Sequence, residues 1–140
     1  MKKNLILTAV FALLLSSCAL KKVNEPVFNF AGKMLHLVEL NGEAYTTNMT
    51  DEPVTLMFAD AENKLSGNSG CNQLFGQYSA ENGRIKFSNV AMTRRMCDEA
   101  TNKVELQFAQ MLEKATSYKA NKGKVYFFNG KTQIAVFEVK

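Results

Sequence analysis

The sequence predicts a single small α+β domain that is mostly β: an antiparallel curled sheet or partly open β-barrel, with one helix packed against or inside it. Two observations lead to this fold class. Short apolar or alternating runs are separated by turn residues at intervals of about ten residues, which is typical of antiparallel strands. One segment instead has apolar residues at helical spacing, and a helix of that length buries its apolar face best against a sheet that curves around it.

The strands are predicted from runs of apolar or alternating residues that end at turns rich in Asn, Asp and Gly. Asn41-Gly42, Asn82-Gly83 and Asn129-Gly130 are the clearest turns, because Asn and Gly tolerate the positive φ of a tight hairpin. Pro53 suits the start of a strand. The predicted strands are 34–40, 43–45, 54–58, one that begins at 64–66, 75–80, 84–87, 118–120, 124–128 and 133–139.

The helix is predicted from Asp98 onward. Five apolar residues fall at helical spacing on one face over about four turns, and either Asp98 or Thr101 is suited to cap the first turn. We interpret the apolar face as core rather than as a ligand-binding stripe. Its members are Val104, Phe108, Met111, Leu112 and Ala115.

The first 17 residues have the pattern of a secretory signal. Lys2-Lys3 precede an apolar run over 5–15, and Leu15-Ser16-Ser17-Cys18 resembles the bacterial lipobox, in which the cysteine is acylated and becomes the mature N-terminus. An N-terminal transmembrane anchor is one alternative, but the apolar run has 11 residues, whereas a transmembrane helix takes about 20. A signal peptide without lipid is the other alternative. The lipoprotein resemblance implies three acyl chains, and stable anchoring takes more than one.

Residues 18–29 are then predicted to be a tether, and residues 30–140 a single domain, because about 110 residues build one core. Ala19 follows Cys18, where lipoproteins retained at the inner membrane of enteric bacteria have Asp, so we expect a lipid-anchored protein on the outer membrane that faces the periplasm. Removal of 1–17 lowers the net charge from +4 to about +2. Since no long basic run is present, a nucleic-acid partner is not expected.

Two cysteines, Cys71 and Cys97, remain once Cys18 is assigned to lipid. An even pair in an oxidising compartment favours a disulfide. Two separately buried thiols are the alternative. In the chain-entropy model such a bond stabilises the domain by about 3.5 kcal/mol.

One segment, Gly67-Asn68-Ser69-Gly70-Cys71-Asn72, interrupts the strand pattern. Its two glycines and two asparagines indicate a backbone with unusual dihedrals or with a close approach to a neighbouring segment. Phe75-Gly76-Gln77-Tyr78 follows it, then Ala91-Met92-Thr93-Arg94-Arg95-Met96-Cys97, and later Glu105-Leu106-Gln107-Phe108 with Leu112.

These motifs, in this order, resemble the META domain, and within it the heat-inducible lipoprotein HslJ family. The family pattern is a Gly-Cys-Asn turn, a Thr-x-x-Met-Cys segment and a helix that carries Glu and Phe three residues apart. The resemblance covers about residues 30–139. The residues that carry it are Gly70, Asn72, Thr93, Met96, Glu105 and Phe108.

The resemblance implies a β-barrel-like sheet with a helix, similar in shape to pilot lipoproteins that escort outer-membrane secretin subunits. It also implies a link to heat induction and to novobiocin tolerance. No enzymatic activity defines the family.

The side-chain chemistry of these motif residues favours mostly structural roles. Asn72 beside Gly70 is suited to hold an irregular turn by bonding nearby backbone, and a bond between Cys71 and Cys97 would attach the helix to that turn. Glu105 has two interpretations. It is either a solvent-exposed or capping carboxylate, or a buried one bonded to the Gly-Cys-Asn backbone.

Residue types typical of an active site are scarce. His36 is the only histidine and lies in the middle of a predicted strand, so a surface or core role is favoured over catalysis. Neither a zinc site nor a phosphate-binding loop has the residues it needs, and no cofactor or metal is predicted. Arg94-Arg95 is either a solvated pair or a contact for anionic lipid or lipopolysaccharide phosphate, which guanidinium groups fit well.

The sequence therefore predicts a monomeric, non-enzymatic lipoprotein that binds an envelope protein or a lipid-like ligand and contributes to envelope integrity or stress tolerance. The alternative is a pilot-like chaperone that binds a peptide or lipid in an apolar cleft of the barrel. An enzyme would need a polar cluster with perturbed pKa values, and the sequence offers no candidate.

Overall fold

A computed structural model of the chain describes residues 27–140, so the predicted signal peptide, Cys18 and most of the predicted tether lie outside the described residues. Within residues 27–140 there are nine strands, one α-helix and a short 3-10 helix at Thr47–Met49. The elements in chain order are β1 Met34–Leu40, β2 Glu43–Ala44, β3 Thr55–Phe58, β4 Lys64–Asn68, β5 Gln73–Glu81, β6 Arg84–Met92, α1 Glu99–Lys114, β7 Ser117–Asn121, β8 Lys124–Asn129 and β9 Thr132–Val139.

The strands form one antiparallel sheet that curls into a partly open barrel. Their order is β2-β1-β3-β4-β5-β6-β7-β8-β9, and β1 also pairs with β9 to close the ring. The strand pairing around the barrel is shortest between β6 and β7, where Arg84 pairs with Ser117. The helix α1 connects these two strands and packs on β6. The predicted fold class, mostly β with one helix in a single domain, is confirmed.

The interior of the barrel is filled with side chains. Every residue of the predicted apolar face of α1 is buried, which confirms its assignment to the core. Near one end of the barrel, the ring of Phe30 lies 4.7 Å from that of Phe58 and 4.8 Å from that of Tyr118, measured between centroids.

The Tyr118 hydroxyl is buried without a hydrogen-bond partner among residues 27–140, and burial raises its pKa. Four cavities lined by described residues, about 410 to 530 Å³ each, are partly open to solvent, and one of them is lined by Phe30 and Tyr78 of the core.

Several strands exceed their predicted ranges, and for β4 and β6 the continuation has a local reason. β6 continues to Met92 because the β5–β6 ladder passes through a β-bulge, where Asn89 takes a φ of 51°. A bulge inserts one extra residue into the strand and so shifts the alternation, and 88–92 therefore does not have the pattern of a strand. β4 extends through Gly67, where a Cβ would lie 2.1 Å from the Thr55 carbonyl oxygen. The predicted close backbone approach is therefore real, and it lies inside a strand.

Among residues 27–140, neither helix combines the length and the apolar character that a bilayer-spanning segment requires.

The first turn of α1 is capped by Asp98, one of the two predicted caps. Its Oδ1 accepts a hydrogen bond of 3.0 Å from the Thr101 backbone N–H, and its Oδ2 accepts one from the Thr101 hydroxyl. These bonds to Thr101, the hydroxyl first, hold the pKa of the Asp98 carboxyl below its ordinary value of 3.8. Thr101 itself is almost fully buried.

Replacement of Asp98 by alanine is expected to destabilise the protein at pH 7 and to matter less at pH 3. Because the folded pKa is lowered, the contribution of the carboxylate is complete above its unfolded pKa and is lost as the pH falls through the folded value. Urea unfolding of both proteins at the two pH values measures the difference. Glu99→Ala, a neighbouring acid in the same helical turn, is the control. An equal or larger difference at pH 3 would contradict the assignment.

Candidate functional site

The three motif segments meet beside the start of α1. The Gly67–Asn72 segment joins β4 to β5, and the Thr93–Cys97 loop leads from β6 to the helix. A disulfide joins Cys71 to Cys97, with 6.1 Å between their Cα atoms. The predicted disulfide is confirmed, and the alternative of two separate thiols is wrong. Cys71 is buried, so the disulfide attaches the Thr93–Cys97 loop to a buried residue of the Gly67–Asn72 segment.

Gly70 occupies a position that only glycine fits. Its φ is +97°, and a Cβ there would lie 2.8 Å from the Cγ2 atom of Thr50. Its N–H donates a hydrogen bond of 2.7 Å to the Oδ1 atom of Asn68. Both the dihedral and the crowding therefore explain why glycine precedes the cysteine in this motif.

Asn72 is the buried centre of a partly buried hydrogen-bond network, with its own side chain shielded from solvent. Its Oδ1 accepts from the Thr93 hydroxyl at 3.0 Å and from the Arg95 backbone N–H at 2.6 Å. Its Nδ2 donates to the Arg95 carbonyl at 3.1 Å and to the Glu105 carboxylate at 3.0 Å. One amide side chain thus holds the loop on one side and the helix on the other.

Glu105 projects from α1 into this network and is half-buried. Its Oε2 accepts a hydrogen bond of 3.1 Å from the Asn72 backbone N–H and another from the Ser69 hydroxyl. Of the two interpretations of Glu105, the bond of the carboxylate to the Gly-Cys-Asn backbone is present, although the side chain is half-buried rather than fully buried. Accepting several donors compensates the carboxylate for its lost hydration.

The two arginines of the loop have different surroundings. The Nη2 atom of Arg95 donates to the Cys71 carbonyl at 2.9 Å and lies 3.2 Å from the Glu52 carboxylate, which also accepts from Asn68. Arg94 is exposed, and its side chain makes no hydrogen bond or ion pair within the part of the chain that the structure describes. Arg95 therefore takes part in the structural network, while its side chain is still 54% exposed beside the exposed Arg94. The choice between a solvated pair and a contact for anionic lipid stays a prediction.

Three of the motif residues lie outside the network: Gly70, whose N–H donates to Asn68, together with Met96 and Phe108. Met96 is 91% exposed, and Phe108 is fully buried in the core against Phe137. Ser69 and Arg95 belong to the network, and Glu52 pairs with Arg95 at its edge; none of the three was predicted there. We call the network of Ser69, Asn72, Thr93, Arg95 and Glu105, together with the disulfide, the polar clamp.

The polar clamp has the chemistry of a structural joint. The Glu105 carboxylate and the Asn72 amide both make several internal hydrogen bonds that tie the helix to the turn and the loop. His36 lies on β1, paired with Glu138 of β9 and Thr55 of β3, on a different part of the sheet. Residues 27–140 contain no group of three or more His, Cys, Asp or Glu side chains that could hold a metal ion.

Comparison with known families agrees with the motif pattern. The family model described as the META domain matches residues 29–140. The chain belongs to the META-domain family. The resemblance to the HslJ lipoproteins is consistent with this membership. No curated protein sequence is significantly similar to the chain.

Three solved structures share the fold of this META-domain protein. A protein from Burkholderia xenovorans, solved by NMR, has a TM-score of 0.66 at 17% identity and covers 100% of this chain and 99% of its own. Another NMR structure has a TM-score of 0.62 at 22% identity, over 78% of this chain and 90% of its own. A crystal structure of a duf4847 family protein from Bacteroides vulgatus has a TM-score of 0.54 at 16% identity, over 78% and 93%. At these identities the likeness concerns the fold alone.

Proposed function

We propose that this META-domain protein is a non-enzymatic lipoprotein, anchored by lipid on Cys18 to the outer membrane and facing the periplasm. It contributes there to envelope integrity under stress, such as heat or novobiocin, by binding an envelope protein or a lipid-like partner. The observation that carries the proposal is the sequence Leu15-Ser16-Ser17-Cys18 behind a short apolar run.

The disulfide supports the proposed location. Disulfides persist in oxidising compartments such as the bacterial periplasm and are rare in the cytosol. The chain has three cysteines, and the disulfide uses Cys71 and Cys97. Cys18 is thus the one cysteine left for a lipid. A tether of about a dozen residues reaches about 40 Å when extended, so partners would lie near the membrane.

The polar clamp supports the non-enzymatic part of the proposal. Its titratable and amide groups are engaged with one another and with the backbone, which suits a joint between sheet and helix. The packed interior does not favour the alternative of a pilot-like chaperone with a peptide or lipid inside the barrel, because aromatic and aliphatic side chains occupy that space.

Lipid attachment is expected to depend on Cys18 alone. In cells fed a labelled fatty acid, the wild-type protein should incorporate label and partition into the detergent phase of a phase-separating detergent. Cys18→Ala should lose the label and stay in the aqueous phase. Cys97→Ala, which removes a different cysteine, is the matched control and should remain labelled.

Two results would overturn this assignment: label that persists in Cys18→Ala, or a wild-type protein that carries none. The stress role is tested with a strain that lacks the gene. That strain should survive heat and novobiocin less well than the parent, and wild-type protein should restore survival where Cys18→Ala does not. Equal survival of all strains would reject the stress role and leave the anchor standing.

A further inference from the structure

The outer face of the sheet carries an aromatic groove on β4, β5 and β6. The strand register places Ser66, Phe75 and Ala91 side by side on these strands. Phe75 is 53% exposed, although it lies on a strand that is paired along both edges. Because its two cross-strand neighbours are small, the ring stands above the sheet with its sides uncovered.

The groove beside this ring has a volume of about 530 Å³. Lys64, Ser66, Phe75, Gln77, Asn89 and Ala91 line it, and we call it the Phe75 groove. The Nδ2 atom of Asn89 donates a hydrogen bond of 2.7 Å to the Oε1 atom of Gln77. This bond holds two amide groups next to the ring and leaves the Gln77 Nε2 donors and the Asn89 Oδ1 acceptor for a ligand.

The lining is close to electrically neutral. Lys64, its one ionisable residue, is paired with Glu62. An anionic lipid surface or a phosphate ligand would therefore find a single cation in this groove, which already has a carboxylate beside it. An uncharged ligand that is rich in both donors and acceptors is complementary to hydroxyl and amide groups.

Two other occupants fit less well. An extended peptide would need a free strand edge to add to, and β5 is paired along both edges, with β4 and with β6. A second copy of the chain would need about 800 Å² of surface from each partner. In the cross-strand row that contains Phe75, the other large exposed apolar side chain is Met57 on β3, which is 44% exposed. Two such side chains supply too little apolar surface for an interface of that size.

We propose that the Phe75 groove binds a neutral carbohydrate. One face of a sugar ring stacks on Phe75, because the slightly positive C–H bonds of that face meet the negative face of the aromatic ring. The sugar hydroxyls exchange hydrogen bonds with Gln77 and Asn89. This binding does not depend on lipid attachment at Cys18.

The test is a titration of the complete, ¹⁵N-labelled chain in micelles of a detergent without a sugar headgroup. The probes are chitotetraose and maltotetraose, followed by NMR. At least one probe should shift the side-chain amides of Gln77 and Asn89 and the backbone signals of 64–66, 75–77 and 89–91. Phe75→Ala should weaken binding about tenfold, and Phe75→Tyr, which keeps the ring, should bind within about twofold of wild type. Met57→Ala, outside the groove lining, should bind as wild type does.

Four results would overturn the proposal. These are no shift with either sugar, shifts confined to other surfaces, unchanged affinity in Phe75→Ala, or weakened binding in Phe75→Tyr equal to that of Phe75→Ala. Concentration-dependent shifts at the groove without sugar would instead assign it to self-association, and would equally overturn carbohydrate binding. Spectra of each variant without sugar verify that the fold is kept.

Discussion

Asn72→Ala is expected to lower the free energy of unfolding by about 3 kcal/mol. The substitution removes the side chain that bonds the Arg95 backbone N–H and carbonyl and the Glu105 carboxylate. Each group left buried without a partner costs about 1–3 kcal/mol, and more when it is charged. Denaturant unfolding followed by circular dichroism measures the loss.

Two further variants test whether the loss of stability comes from the hydrogen bonds of the Asn72 side chain. Asn121→Ala, at the exposed end of β7, should change stability by less than about 0.5 kcal/mol. Asn72→Asp keeps the two acceptor bonds to the loop but turns an oxygen toward Glu105 in place of the amide donor. It should therefore destabilise the protein at least as much as alanine at neutral pH. A loss in Asn72→Ala as small as that in the Asn121 control would contradict the central position of Asn72.

Removal of the disulfide should have an effect of similar size. The bond joins cysteines 26 residues apart, and the chain-entropy model gives about 3.5 kcal/mol of stabilisation for a loop of this length. The double variant Cys71→Ala/Cys97→Ala is therefore expected to unfold at a distinctly lower denaturant concentration than the wild-type protein under oxidising conditions.

Reductant supplies the control for this comparison. It should lower the stability of the wild-type protein toward that of the double variant and leave the double variant unchanged. If oxidised wild type and double variant unfolded at the same denaturant concentration, the disulfide would not contribute to the stability of the domain.

Local patterns were sufficient to predict most of the fold. The strand Met34–Leu40 and the apolar face of α1 were both predicted, because each has one strong periodicity and a clear end signal. The second half of β6 was not, because the bulge at Asn89 interrupts the alternation there. The short 3-10 helix at Thr47–Met49 was also missed, since a single turn is too short to show a period.

The site was predicted in part. The contact between Glu105 and the Gly-Cys-Asn turn was one of two alternatives, and only the folded chain decides between them. The contacts of Ser69 with Glu105 and of Arg95 with Glu52 join residues far apart in sequence, and no local pattern indicates them. Phe75 was visible as part of a motif, but its exposure follows from the small residues that the register places beside it.

The central claim is that the motif residues form a structural joint between the sheet and the helix, and a double-mutant cycle tests it most directly. The free energy of unfolding is measured for wild type, Asn72→Ala, Glu105→Ala and the double variant. Residues that act in one hydrogen-bond network should show a coupling energy of about 1–2 kcal/mol, with the double variant less destabilised than the sum of the single variants. Losses that add within about 0.5 kcal/mol would show that the two residues act independently, and would contradict the claim.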